Sequence, residues 1–325
     1  MNNDNAAIQW ATDFLRSRHC KVIALEKAAE PAHSIVTKIT TSQGIFYLKQ
    51  TPPALFREPD TIALLQTHGC QQIPVVIAKN DYYHSFLTAS CGDISLRELF
   101  SNGGIDMNVL EQGINYYLSI QRIVESDTLT LLNFGIPDWR LDQFPLLYRE
   151  LIQETDCLVA DGLTRQEIAS LHHAYDWCVE QCERLSSYHI PETINHCDFQ
   201  ENNMLFSKET REVSIIDWGE TVISHPFFSL NTCLWNLTYF HNLKQTDRQY
   251  RLLQQLCVSP WLDKHEESDL ITAFNISNQL LGVFAALGYQ FMYEATANQT
   301  KKVQEEHPGS IAGCLRSFLQ QVNKG

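Results

Sequence analysis

Hydrophobic positions recur along this chain with two different periods, and the switch between them marks its organisation. Over residues 1–90 a helical repeat spans Ile8 to Arg16, followed by short stretches that alternate apolar and polar side chains. Gly44-Ile45-Phe46-Tyr47-Leu48-Lys49 predicts one strand and Ser85-Phe86-Leu87-Thr88-Ala89 another, with a helix near Asp60 to His68 carried by Ile62, Leu64 and Leu65. From Leu96 onward the period is mainly helical, most clearly over Val109–Val124, Pro145–Gln153, Arg165–Leu185, Asp247–Leu256 and Ser268–Tyr293. A polar loop and hairpin, Ile194 to Glu220, interrupts these helices. Nothing repeats at a fixed period, and no Gly/Ser- or Pro-rich linker divides the chain.

One uncharged run, Ile271 to Tyr293, reaches the length of a membrane span. Its Asn275, Asn278, Gln279 and Gln290, with Phe274, Leu281, Phe284, Leu287 and Phe291 at helical intervals, predict a helix buried in a helical lobe. Gln290 and Tyr293 at its end have two readings: reach into an acceptor pocket, or helix-capping and core hydrogen bonds. No membrane partner is expected.

Composition narrows the class. With 325 residues, 44% apolar and 19% charged, the chain can bury one large core or two lobes. A formal charge of −14 argues against nucleic acid, whose phosphates need clustered Lys and Arg. The same charge permits a cationic acceptor but also fits a plain solubilising surface. Ten cysteines form no Cys-x-x-Cys unit. Cys178 and Cys182, near His172 and His173, come closest to a zinc cluster; their helical spacing favours a buried face. Reduced thiols and a polar Met1-Asn2-Asn3-Asp4-Asn5 start lead us to expect a cytoplasmic protein with no signal peptide.

The interrupting segment carries the chemistry. It reads Ile194-Asn195-His196-Cys197-Asp198-Phe199-Gln200-Glu201-Asn202-Asn203-Met204-Leu205, then a turn around Ser207 to Arg211, then Val213-Ser214-Ile215-Ile216-Asp217-Trp218-Gly219-Glu220. Loop, reversal and strand end bring two aspartates and an asparagine toward one spot. Phosphoryl transfer needs a positioned hydroxyl, Mg²⁺ held by hard oxygens, and little covalent help. Asp198 is the candidate base, and Asn203 with Asp217 the candidate metal ligands. The plain alternatives are a loop cap for Asp198 and a turn residue for Asp217.

His196-Cys197-Asp198, Asn203 five positions on, and Ile216-Asp217-Trp218-Gly219 together resemble the aminoglycoside phosphotransferase and choline kinase branch of the protein-kinase-like superfamily. That resemblance implies an α+β, two-lobed fold. A small β-rich nucleotide-binding lobe (1–90) would end in a hinge, and a larger, mainly helical lobe (91–325) would hold catalysis and the acceptor. It also implies ATP or GTP with Mg²⁺, and a small-molecule hydroxyl as acceptor: an aminoglycoside, sugar, amino alcohol or nucleotide-sugar precursor. Lys49 then stands where the family grips the α/β-phosphates, and Glu58 where it places that lysine's partner. Backbone groups of Leu87 to Ala89 would meet an adenine edge, and Gly92 to Leu99 resembles the turn into the first helix of the larger lobe. Lys49 as a solvated edge lysine and Glu58 as a helix N-terminal carboxylate are the simpler alternatives.

Some positions depart from the family pattern. Glu30 to Lys38 contains no glycine, so Ala32 to Val36 would cover phosphates through backbone amides alone. Cys197 replaces a glycine, and Glu201-Asn202 a common Pro-Gly. His196 is expected to brace the loop, His225-Pro226-Phe227-Phe228 to pack, and Gly135 to Arg140 to form a turn near the acceptor side. Few residues separate Gly219 from His225, which argues against the long activation segment of a regulated protein kinase. A non-catalytic nucleotide-binding protein is the other alternative, and the retained Asp198, Asn203 and Asp217 count against it. The sequence does not set an oligomeric state.

Overall fold

The computed structural model describes residues 3–101, 103–296 and 300–324. Helix α1 (Asn3–Ser17) precedes strands β1 (Val22–Ala29), β2 (Ile35–Thr41) and β3 (Gly44–Gln50). Helix α2 (Glu58–Thr67), β4 (Val76–Asn80) and β5 (Ser85–Ala89) complete an antiparallel sheet of order β1-β2-β3-β5-β4. Period-2 alternation decides what each face carries. Leu48 lies opposite Leu87, and both are buried under Ala7, Ala11 and Leu15 of α1. The next pair, Lys49 opposite Phe86, faces the other way, toward Phe56, Ile62 and Leu65 on the α2 side. The pleat thus delivers the lysine to the side where α2 begins. Pro59 in the first turn of α2, with Glu58 and Asp60 at its positive end, fixes that start.

After a short β6 (Ile94–Ser95) the chain turns helical: α3 (Leu96–Ser101), α4 (Met107–Val124), α5 (Thr128–Asn133), α6 (Phe144–Gln153), α7 (Thr155–Ala160), α8 (Arg165–His173) and α9 (Tyr175–Ser186). Four strands follow: β7 (Thr193–His196), β8 (Met204–Phe206), β9 (Val213–Ile215) and β10 (Thr221–Ser224). Helices α10 (Phe227–His241), α11 (Arg248–Val258), α12 (Glu267–Ala295), α13 (Thr300–Glu306) and α14 (Ser310–Val322) close the fold. The structure is therefore α+β, a β-rich sheet followed by a helical part.

Helix α12 packs against α9, α10, α11 and α14. It is long and apolar enough to cross a membrane, yet most of its apolar stretch is buried in the helical core. Gly282 sets how closely α14 approaches: a Cβ there would stand 2.4 Å from the Cys314 carbonyl oxygen and 2.9 Å from the Phe318 nitrogen. Backbone cannot yield as a side-chain tip can, so Gly282→Ala is expected to cost about 1–3 kcal/mol through overpacking. Urea unfolding should show a lower midpoint at unchanged slope.

One expectation needs correction, and two open readings are decided. The helix drawn over Arg165–Leu185 is two, α8 and α9, meeting at Ala174; Leu171, Ala174 and Cys178, at helical spacing across the junction, are all buried. Tyr293 does not reach an acceptor pocket: its hydroxyl donates to Asp161 Oδ1 and to the His307 carbonyl, each at 3.2 Å. Gln290 donates to Glu294 one turn on. The Cys178 and Cys182 thiols are buried on α9, whereas His172 and His173 are exposed on α8. Gly135 to Arg140 is a turn fastened to β10, with the Trp139 N–H donating to the Ile223 carbonyl at 2.8 Å.

Candidate active site

Two hairpin-like pairings assemble the site. β7 runs antiparallel to β10 with His196 opposite Thr221, and β8 pairs with β9, Met204 opposite Ile215. One step beyond that last pair, the Ile216 N–H donates to the Asn203 carbonyl at 3.0 Å. This register sets Asn203 beside the residue preceding Asp217. Asp217 sits at φ 69°, ψ 56°, a left-handed conformation uncommon outside glycine, which aims its carboxylate back at the sheet.

The catalytic loop is pinned at His196. Its backbone N–H donates to the Tyr117 hydroxyl at 2.9 Å and to Ser229 Oγ at 3.0 Å. Nδ1 accepts from the Asp198 N–H at 3.2 Å, so Nε2 carries the proton it gives to the Ile216 carbonyl at 2.9 Å. Burial pushes the ring's pKa below its ordinary value, keeping it neutral. His196 thus ties the Asp198 loop to the Asp217 strand.

Asp198 has both carboxylate oxygens engaged. Gln200 Nε2 donates to Oδ1 and Asn203 Nδ2 to Oδ2, the latter at 2.7 Å. Burial raises its pKa to about 6, against the lowering effect of Gln200, with Asp217 adding to the rise. On the sheet side Lys49 Nζ lies 2.6 Å from Glu58 Oε2 and also donates to Asp217 Oδ1. Burial opposes the charge on Lys49, but Asp217 and Glu58 outweigh it and hold the ammonium above its ordinary pKa. Burial lifts Glu58 to about 6 despite Lys49. Asp217 is held at about 2, because Lys49 overcomes the opposing effect of burial.

Asp198, Asn203, Asp217, Lys49 and Glu58 are therefore in one place. Leu87 and Ala89 stand apart from the part sketched for them. Leu87 lies between β3 and β4 in the ladder with its side chain buried, and the Ala89 N–H is spent on the Val75 carbonyl at 3.2 Å. For Mg²⁺ the donor set fits: no described residue donates a hydrogen bond to Asn203 Oδ1 or Asp217 Oδ2, which leaves two hard oxygens just beyond the neighbouring ends of β8 and β9.

Other residues join the site without having been singled out. Burial pushes the Glu220 carboxyl well above its ordinary range, helped by the charges of Asp198 and Asp217. His33, on the loop between β1 and β2, lies within electrostatic reach of Asp217 and Lys49, and its buried Nδ1 has no partner among the described residues. That loop is clasped from the C-terminal side: the Ala32 N–H donates to Glu306 Oε2 at 2.8 Å and Lys302 Nζ to the Glu30 carbonyl at 3.1 Å. Arg97 donates to Gln200 Oε1 and, at 2.8 Å, to the fully buried Glu201. The sequence signal for it was a glutamate in the loop position usually held by proline, since a buried carboxylate needs a counter-charge.

An α+β fold, a β-rich sheet followed by a helical part, with this constellation between them defines the class. The chain belongs to the phosphotransferase enzyme family, whose model matches residues 38–254. No curated protein sequence matches it. Among solved structures it is similar to a choline/ethanolamine kinase family protein from Mesorhizobium loti, at 13% identity and TM-score 0.59 over 100% of both chains. It is also similar to the GDP and kanamycin complex of APH(2")-IIia, at 13% identity and TM-score 0.58, covering 98% of this chain and 99% of that one. A thermostable mutant of aminoglycoside phosphotransferase APH(4)-Ia, in ternary complex with AMP-PNP and hygromycin B, gives 14% identity and TM-score 0.58 over 94% and 98%. Each of these likenesses is one of fold.

Proposed function

We propose that this protein is a small-molecule kinase that moves the γ-phosphate of ATP or GTP to an acceptor hydroxyl. The observation that carries this reading is the meeting of Asp198, Asn203 and Asp217 with the Lys49–Glu58 pair. Asp198 aligns the hydroxyl and takes its proton as the oxygen attacks phosphorus and the nucleoside diphosphate leaves. Lys49, held by Glu58, orients the α/β-phosphates. Asn203 Oδ1 and Asp217 would hold Mg²⁺, which when bound neutralises phosphate charge. The hinge would follow Ala89, beyond the ladder that occupies the Leu87 backbone. Relatives solved with AMP-PNP and hygromycin B, or with GDP and kanamycin, support nucleotide use and a small acceptor. The direct passage from β10 into α10 at Phe227 leaves no room for a long regulated activation segment.

The test is transfer of labelled γ-phosphate from Mg-ATP and Mg-GTP to pooled aminoglycosides, sugars, amino alcohols and nucleotide sugars. Labelled product from one pool supports the reading, whereas nucleotide binding with no product from any pool favours a binding protein. Because Asp198 must be ionised and its pKa is raised to about 6, kcat/KM is expected to fall tenfold per pH unit below about 6. A profile flat down to pH 5 would remove Asp198 as the base.

A further inference from the structure

A second layer of polar contacts stands behind the catalytic loop, all of it meeting at one guanidinium. Arg97 lies just inside α3, with Nε 2.8 Å from Glu201 Oε1 and one Nη donating to Gln200 Oε1. Its plane stacks on Phe240, 3.7 Å from the ring centroid, and Asn236 Oδ1 is 3.5 Å away. Glu201 is wholly buried and meets His241 Nε2 at 3.2 Å. Thus α10 supplies Asn236, Phe240 and His241 as a frame, α3 supplies the cation, and the loop supplies its two consecutive residues between Asp198 and Asn203.

An amide has two unlike ends. Because Arg97 can only donate, it fixes which end of Gln200 faces it: Oε1 turns to the guanidinium, and the NH₂ must then face Asp198 Oδ1. Arg97 and Asp198 select the same orientation, the cation taking Oε1 and the carboxylate the NH₂, so loss of Arg97 leaves the amide held at one end only and free to swing away from Asp198. The second fork of the guanidinium holds Glu201, so the register of the loop and the orientation of the amide depend on one side chain. We propose that Arg97 is a positioning residue for the phosphotransfer reaction, acting through Gln200 to orient the Asp198 carboxylate and through Glu201 to hold the loop that carries Asn203. This inference rests on the reaction proposed above. It assigns Arg97 no contact with substrate.

The test is a double-mutant cycle on the full chain, with kcat and the nucleotide KM measured for R97A, Q200A, R97A/Q200A and R97K. R97A and Q200A are each expected to lower kcat by about 10–100-fold while changing the nucleotide KM by less than about threefold, and the double variant to be no worse than the weaker single. Lysine cannot span both partners, so R97K should recover part of the lost kcat, and added guanidinium should partly restore R97A. R97A lowers the melting temperature in either case, since Glu201 loses its counter-charge, but a merely structural arginine would leave kcat of the folded fraction near wild type and show no coupling to Gln200. Multiplying losses in the double variant, or a fully active R97A, would overturn the inference alone. If R97A does not fold, R97K against Q200A decides the coupling. A wild type without transfer from either nucleotide would overturn the reaction and this inference with it.

Discussion

Asp198→Ala will reduce phosphoryl transfer by about 10²–10⁴-fold while leaving nucleotide binding close to that of the wild type. The loss follows from what the carboxylate does. It accepts the hydroxyl proton from a site where Gln200 and Asn203 already hold both of its oxygens in place. Asp198→Asn keeps the shape and removes the basicity, so it should lose nearly as much. Single-turnover kinetics with saturating Mg-ATP separate this from a binding defect. A variant with a raised nucleotide KM and an intact kcat would contradict the role.

Lys49→Met will remove activity and also destabilise the fold, because one ammonium serves two carboxylates. Its side chain is 15% exposed and that of Glu58 only 4%. Taking the cation away leaves buried negative charge uncompensated, a change worth about 3–5 kcal/mol in buried pairs. The lower end applies here, since Asp217 is 35% exposed and water screens it. The pH dependence has a definite sign. Glu58 already titrates near 6 in the folded protein, and loss of Lys49 raises it further. A carboxyl whose folded pKa lies above its unfolded value of 4.5 costs stability once pH rises through that unfolded value. Wild type and variant share that cost up to about pH 6, so the deficit of Lys49→Met from Glu58 should be small near pH 5 and large near pH 8, growing above about 6 toward the variant's own higher pKa. Urea midpoints at the two pH values measure it, and an equal deficit at both would rule out Glu58 as its source.

What the sequence could reveal tracks how local each arrangement is. Asp198, Asn203 and Asp217 lie on one reversal whose turn residues and short apolar strands are consecutive, so their convergence is legible from spacing. Lys49 and Asp217 are 168 positions apart, and only a family likeness suggested that they share a site. Arg97 shares that difficulty: Glu201 in the loop signals that some cation is needed, but nothing in an arginine near the start of a helix says that it faces a glutamate 104 positions on. Helix α10 escaped notice because it is apolar nearly all round: with Phe227, Phe228, Leu230, Cys233, Leu234 and Leu237 buried, no polar stripe marks the period. Helix α14 was missed although its buried Ile311, Ala312, Leu315 and Phe318 keep helical spacing. Leu87 misled in another way. Its alternation predicts the strand, but not that the strand lies between β3 and β4, where the Leu87 backbone is committed to the ladder.

The clasp of Glu306 and Lys302 on the Glu30–Ala32 loop changes what opening the cleft can mean. Besides the covalent passage after Ala89 and ties such as Lys49 to Asp217 and Gln72 to Ile215, the sheet is joined to the helices from the far end of the chain by two hydrogen bonds. A jaw with one pivot swings freely, but one fastened on both sides must unbuckle before it widens. The loop that the proposed reaction places over the phosphates is thus tied to a helix more than two hundred residues along the chain from the sheet it restrains.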